Sequence, residues 1–87
     1  MSRKDIRLYG AKRCHKTQFY IQLLSERNLD FEFLDVEKEE TAAQELRALY
    51  KTGKLHFPTI LIKDKRLRNP SVEEIEKWSD KKGIHAT

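Results

Sequence analysis

Cys14 is the one thiol in a chain of 87 residues, and it stands in the run Lys12-Arg13-Cys14-His15-Lys16-Thr17. Thiolate, not thiol, is the nucleophile, and an unperturbed cysteine with a pKa of about 8.5 is mostly protonated at neutral pH. Two features of this run lower that value. The residues after Cys14 predict a helix, whose first turn presents unpaired amides and the positive end of the helix dipole. Lys12, Arg13 and Lys16 add fixed positive charge. Thr17 lies three residues on, where its hydroxyl can donate to the sulfur but cannot attack a disulfide. A mixed disulfide on Cys14 must therefore be released by an outside thiol. The plain alternative is a small core residue, but a turn crowded with Lys12, Arg13, His15 and Lys16 is a poor place for burial.

Pro58 is the second informative residue. It opens the apolar run Pro58-Thr59-Ile60-Leu61-Ile62, where it cannot donate a ladder hydrogen bond, and such a proline marks either a strand start or a tight, cis turn.

The elements that must position these residues follow from pattern. Ile6-Arg7-Leu8-Tyr9 reads as a strand stopping at Gly10. Cys14 to Arg27 holds no Gly or Pro, and Thr17, Tyr20, Ile21 and Leu24 share one helix face before Asn28 ends it. Phe31 to Val36 predicts a second strand. Thr41-Ala42-Ala43-Gln44 reads as a capping box for a helix with the stripe Ala42, Leu46, Leu49 and Tyr50. After the Thr52-Gly53-Lys54 loop, the strand from Pro58 turns at Asp64-Lys65 into Arg66-Leu67-Arg68. A second capping box, Ser71-Val72-Glu73-Glu74, opens a helix burying Val72, Ile75 and Trp78. A strand-helix-strand unit requires a crossover that makes its strands parallel. The expected fold is α/β: a four-stranded mixed sheet in βαβαββα order with helices on both faces. Cys14 then lies at the carboxyl end of the first strand, the edge where open α/β sheets place their sites.

The length predicts one domain, residues 1–87, with 82–87 a frayed tail. Net charge is +4 but is unevenly distributed. Residues 1–20 hold six Lys/Arg against Asp5, residues 49–70 six against Asp64, and residues 30–48 seven acids against Lys38 and Arg47. Two basic segments brought together would attract an anionic partner. No apolar stretch approaches the roughly 20 residues that span a bilayer, and Met-Ser-Arg-Lys-Asp-Ile is no secretory signal. A cytoplasmic protein without membrane contact is expected, in keeping with a single, unpaired cysteine.

Residues 5–78 resemble a glutaredoxin of the thioredoxin fold. The first strand ends in Tyr9, Cys14-His15-Lys16-Thr17 occupies the C-x-x-C position, "FLDVEKEE" accompanies the second strand, and "FPTILI", residues 57–62, stands where that family has its cis-proline segment. The resemblance implies that Cys14 forms mixed disulfides and that Phe57, before Pro58, pairs its backbone with glutathione or substrate. The chain departs from the pattern in three places. Thr17 replaces the second cysteine, which leaves only a monothiol route. Ala11 replaces a lysine, with Lys12 adjacent. Arg68-Asn69-Pro70-Ser71 replaces a Gly-Gly turn and following Asp, and Ser71 is then the residue that would offer a hydroxyl and amides to a carboxylate.

The resemblance implies a monomeric thiol-disulfide oxidoreductase in redox homeostasis. Its co-substrate is glutathione or another small thiol, and its partners are disulfide-containing or glutathionylated proteins. Cys14 and Thr17 are the expected catalytic residues, with Lys12, Arg13, Phe57, Pro58 and Ser71 as the thiol-binding set. Two other readings stand beside it: a dimer holding an iron-sulfur cluster through Cys14, although the motif is not C-G-F-S, and a relative of arsenate reductases, from "LYGAKRC". Nucleic acid is not expected despite a pI near 9.3, because no nucleic-acid motif is present. No metal is expected, since Cys14 with His15, His56 or His85 matches no ligand spacing.

Overall fold

The computed structural model describes residues 4–84. Along them run β1 (Ile6–Gly10), α1 (His15–Glu26), β2 (Phe31–Asp35), α2 (Glu40–Ala48), β3 (Thr59–Ile62), β4 (Lys65–Arg68) and α3 (Val72–Lys81). The sheet order is β2-β1-β3-β4. β1 and β2 are parallel from Ile6↔Phe31 to Gly10↔Asp35, while β3 runs antiparallel to both β1 and β4. This is the mixed sheet that the order of elements predicts.

Alternation along the strands divides the core in two, because successive side chains point to opposite faces. Ile6, Leu8, Ile60, Ile62 and Leu67 pack with Tyr20 and Leu24 of α1 and Ile75 of α3. Tyr9, Leu34 and Leu61 face the other way and pack with Val36 and with Ala42, Ala43 and Leu46 of α2. β1 contributes to both faces, and Ile6, Leu8 and Tyr9 are all within 1% of complete burial.

Three local expectations change. The α2 capping box does not form: Glu39 is the N-cap, without a side-chain bond, and Thr41 lies inside the helix. The chain is turned earlier, by buried Asp35, whose Oδ1 accepts from the amides of Glu37 and Lys38 at 2.9 and 3.2 Å. Gln44 reaches Glu40 instead of a cap. The β3–β4 turn is centred on Lys63-Asp64, with Lys63 at φ 54°, so β4 already includes Lys65. The fraying expected from residue 82 does not hold for residues 82–84. Gly83, at φ 73°, donates to Asp80 O, and Ile84 donates to Ser79 O and packs on the first cluster. These two bonds are a Schellman ending. His85, Ala86 and Thr87 lie outside the described residues.

The α3 capping box does form, between Ser71 and Glu74. Asn28, at φ 56°, ends α1 by the same Schellman pattern, donating to Ser25 O while Leu29 donates to Leu24 O. No helix among the described residues is long and apolar enough to cross a membrane.

One contact ties α1 to β1. A Cβ placed on Gly10 would lie 2.4 Å from Thr17 Oγ1 and 2.7 Å from its Cγ2. We expect Gly10→Ala to destabilise the fold by roughly 1–3 kcal/mol through overpacking, as read by urea unfolding. Thr17→Ala removes both of those atoms, so the double variant should lose less than the sum of the singles; strict additivity would show that the two sites do not meet.

Candidate active site at the start of α1

Four chain segments meet at one edge of the sheet. β1 ends at Gly10 and β2 at Asp35, paired in register. β3 begins at Thr59, whose partners are Tyr9 and Arg68. Pro58 and the β4–α3 connection therefore flank the loop that carries Cys14, and Asn69 N donates to Pro58 O at 3.5 Å. The Phe57–Pro58 peptide is cis.

Cys14 is the N-cap of α1, with extended dihedrals (φ −85°, ψ 122°). Its amide donates to Ala11 O and its carbonyl accepts from Gln18 N, both at 3.0 Å, so the backbone is held on both sides of the thiol. Cys14 is half-buried. It makes no capping hydrogen bond of its own, yet its pKa lies below the ordinary thiol value. The main cause is the Thr17 amide; burial opposes it, and the Thr17 hydroxyl, the Lys16 amide and the Lys16 charge support it. The helix start thus contributes more than the surrounding cationic side chains.

Thr17 is fully buried. Its Oγ1 accepts from the Ala11 amide at 3.3 Å, which leaves the hydroxyl hydrogen to donate toward the sulfur. One side chain therefore satisfies the loop before Cys14 and favours the thiolate after it.

The other predicted residues separate into groups. Lys12 is exposed, its carbonyl accepts from Gln18 Nε2, and neither it nor Lys16 has an acidic partner among the described residues. Arg13 differs from expectation, being gripped by Glu37 through Nε at 2.9 Å to both carboxylate oxygens and through a further Nη2 contact. That carboxylate raises the Arg13 pKa and cancels the charge expected to orient an anion. Ser71 also differs. Its amide donates to Glu74 Oε1 at 3.0 Å and its hydroxyl accepts from the Glu74 amide at 3.2 Å. The carboxylate at this helix start is thus the chain's own, because the capping box takes both groups that a ligand would use.

Phe57 packs on the α2 side of the core and Pro58 is buried. Neither the amide nor the carbonyl of Phe57 has a hydrogen-bond partner among the described residues. A network missed by sequence reasoning frames this segment. Thr59 Oγ1 donates to His56 O at 2.5 Å, so the 2.8 Å contact with Tyr50 must be donated by the phenol. The Tyr50 ring meets His56 edge-on at 4.7 Å and lies under the Arg66 guanidinium at 4.4 Å. Thr59 could have been suspected from its place after Pro58. Glu74 was signalled as half of a capping box, whereas the partners of Glu37, Tyr50 and His56 carry no local signal. No group of three His, Cys, Asp or Glu side chains is gathered for a metal among the described residues.

This sheet, with a cysteine capping the helix after its first strand and a cis-proline opening the neighbouring strand, defines a protein of the thioredoxin-like fold. The solved structures agree. The thioredoxin-like protein BC3987 is 23% identical over 84% of this chain and 97% of its own, with a TM-score of 0.71. A glutaredoxin from Archaeoglobus fulgidus is 16% identical over 86% and 85%, with a TM-score of 0.73. A buckwheat glutaredoxin in complex with glutathione is 16% identical over 95% and 83%, with a TM-score of 0.71. No match was found among curated proteins. The match to the glutaredoxin family runs over residues 6–67, and the chain belongs to that family.

The Thr17 hydroxyl can be separated from the Thr17 amide. Alkylation of Cys14 by iodoacetamide should rise with pH to a midpoint below the ordinary thiol value of about 8.5. In Thr17→Val the midpoint should move up, while Thr17→Ser keeps it near wild type. A depressed folded-state pKa means that the unfolded chain binds more protons in this window. The stability Cys14 contributes is therefore present above the unfolded thiol pKa and lost as pH falls through the folded one. Cys14→Ser should remove that pH dependence from chemical unfolding.

Proposed function

We propose that the chain is a monothiol thiol-disulfide oxidoreductase that works as a single domain and a monomer in the cytoplasm, with Cys14 as its nucleophile. The observation that carries this reading is the sulfur at the N-cap of α1, its pKa lowered, with a threonine where a resolving thiol would stand. The Cys14 thiolate attacks one sulfur of a mixed disulfide. The substrate S–S bond breaks, a new S–S bond joins Cys14 to that sulfur, and the other sulfur leaves as a thiolate that takes a proton from water. A second small thiol then attacks the bond to Cys14 and releases it. No net electrons remain on the protein.

Glutathione is the small thiol that best fits this cycle. A structural neighbour is solved in complex with it, and the amide and carbonyl of Phe57, before cis-Pro58 and unpaired among the described residues, can accept a peptide backbone alongside Cys14. Lys12 and Lys16 are the cations left for its carboxylates, since Arg13 is held by Glu37 and Ser71 by Glu74. The fit is therefore weighted toward the α1 end of the site.

Incubation with oxidised glutathione should leave one glutathione on Cys14 by intact mass, and reduced glutathione should remove it. Cys14→Ser should take up none. Thr17→Cys should shed the adduct without added thiol, because the third helical residue faces the sulfur and can attack it. An unmodified wild-type protein would reject the proposal.

A further inference from the structure

The outer surface of α1, beyond the Lys16 that glutathione would meet, carries an apolar side chain that thiol exchange with a small molecule does not use. Phe19 is 53% exposed, the one large apolar side chain so exposed among the described residues. It forms one wall of an open groove of about 440 Å³ lined by His15, Lys16, Phe19, Tyr20 and Asn69. The wall is firm: Phe19 meets the Tyr20 ring edge-on at 5.3 Å, and the Tyr20 hydroxyl is anchored to Pro70 O at 2.6 Å.

The groove is also polarised. Its end next to Cys14 holds Lys16, unpaired among the described residues, and no acidic side chain lines it. Of the carboxylates elsewhere around this edge, Glu37 is paired with Arg13, while Glu74, bonded to Ser71, keeps its charge at the Tyr20 end of the groove. An incoming carboxylate therefore meets an unpartnered ammonium beside the sulfur. An incoming apolar side chain meets Phe19 farther along.

We propose that this groove receives the polypeptide that carries the target cysteine, and that it selects segments with a carboxylate next to that cysteine and an apolar side chain beyond it. Lys16 and Phe19 are three residues apart and so lie on one face of α1, with Lys16 nearer Cys14 in the chain, so the carboxylate is met first and the apolar side chain about one helical turn farther on. The inference rests on the proposed nucleophilic role of Cys14 and adds the substrate class. The exchange it directs is the one given above: Cys14 forms a disulfide to the segment's sulfur, and that sulfur's former partner leaves as a thiolate.

The test uses peptides whose central cysteine is bonded to 2-thiopyridine, so that attack by Cys14 on the peptide sulfur releases coloured pyridine-2-thione. The probe carries glutamate at one and leucine at two places on each side of the cysteine, which makes it indifferent to chain direction. One control replaces leucine with serine, the other glutamate with lysine. Each rate is divided by that for 2,2′-dithiodipyridine with the same protein. The serine control should be about tenfold slower, as expected for roughly 50 Å² of apolar surface left in water. The lysine control should be about threefold slower, a gap that closes at 1 M salt. Phe19→Ser should erase the leucine preference and keep the glutamate preference. Equal wild-type rates for all three peptides would overturn the inference while leaving the small-molecule chemistry intact. So would a leucine preference that survives in Phe19→Ser, or a wild-type dimer at assay concentration that Phe19→Ser disperses, which would assign the groove to a second copy. Failure of 2,2′-dithiodipyridine to react faster with Cys14 than with free cysteine would instead remove the nucleophile itself, and this inference with it.

Discussion

The site depends on how closely the first turn of α1 can approach the end of β1. Thr17 fills the space that a side chain at Gly10 would need, and its hydroxyl satisfies the buried Ala11 amide. That contact sets the short bridge Ala11-Lys12-Arg13 after β1, and the bridge places Cys14 at the N-cap. The sulfur is then exposed to the amides of Lys16 and Thr17 by the geometry of a helix start, where the backbone has donors and no acceptors. The same threonine stands where a second thiol would resolve a mixed disulfide. Packing, activation and the single-thiol character of the site thus converge on one side chain.

Electrostatics around the edge are more selective than net charge suggests. The acidic middle of the chain is folded back so that Glu37, just past β2, reaches Arg13, while Glu74 closes on Ser71. Two of the groups that would have made the edge broadly attractive to anions are thereby silenced. Lys12 and Lys16 remain, both on the α1 side. A solvent-exposed pair such as Arg13–Glu37 contributes little to stability, but it decides where a ligand's negative charge can be met. On the opposite flank the Tyr50–Thr59–His56 network holds the segment around cis-Pro58, and the backbone groups of Phe57 have no partner among the described residues.

What was legible in the sequence was whatever short-range pattern controls. Short apolar runs bounded by Gly10 and Pro58 placed β1 and β3, and the helical spacing of Tyr20 and Leu24 placed α1. Ser71 with Glu74 announced the cap of α3, and the strand-helix-strand order required β1 and β2 to be parallel. The candidate nucleophile was visible for the same reason, since its activation comes from residues within three positions of it. The α2 start was misread because Thr41 and Gln44 satisfy a local pattern that Asp35, six residues earlier, pre-empts by turning the chain first.

Sequence alone therefore determined the order of the elements, the fold class and the position of Cys14 at the head of a helix, because each follows from periodicity and from backbone donors near in the chain. Only the tertiary structure decided which charges stay free. Arg13 and Glu37 are separated by 24 residues, and Tyr20 is anchored across 50 residues to Pro70. Pairings of that span are set by the register of β1 against β2 and β3, which no local run of residues encodes.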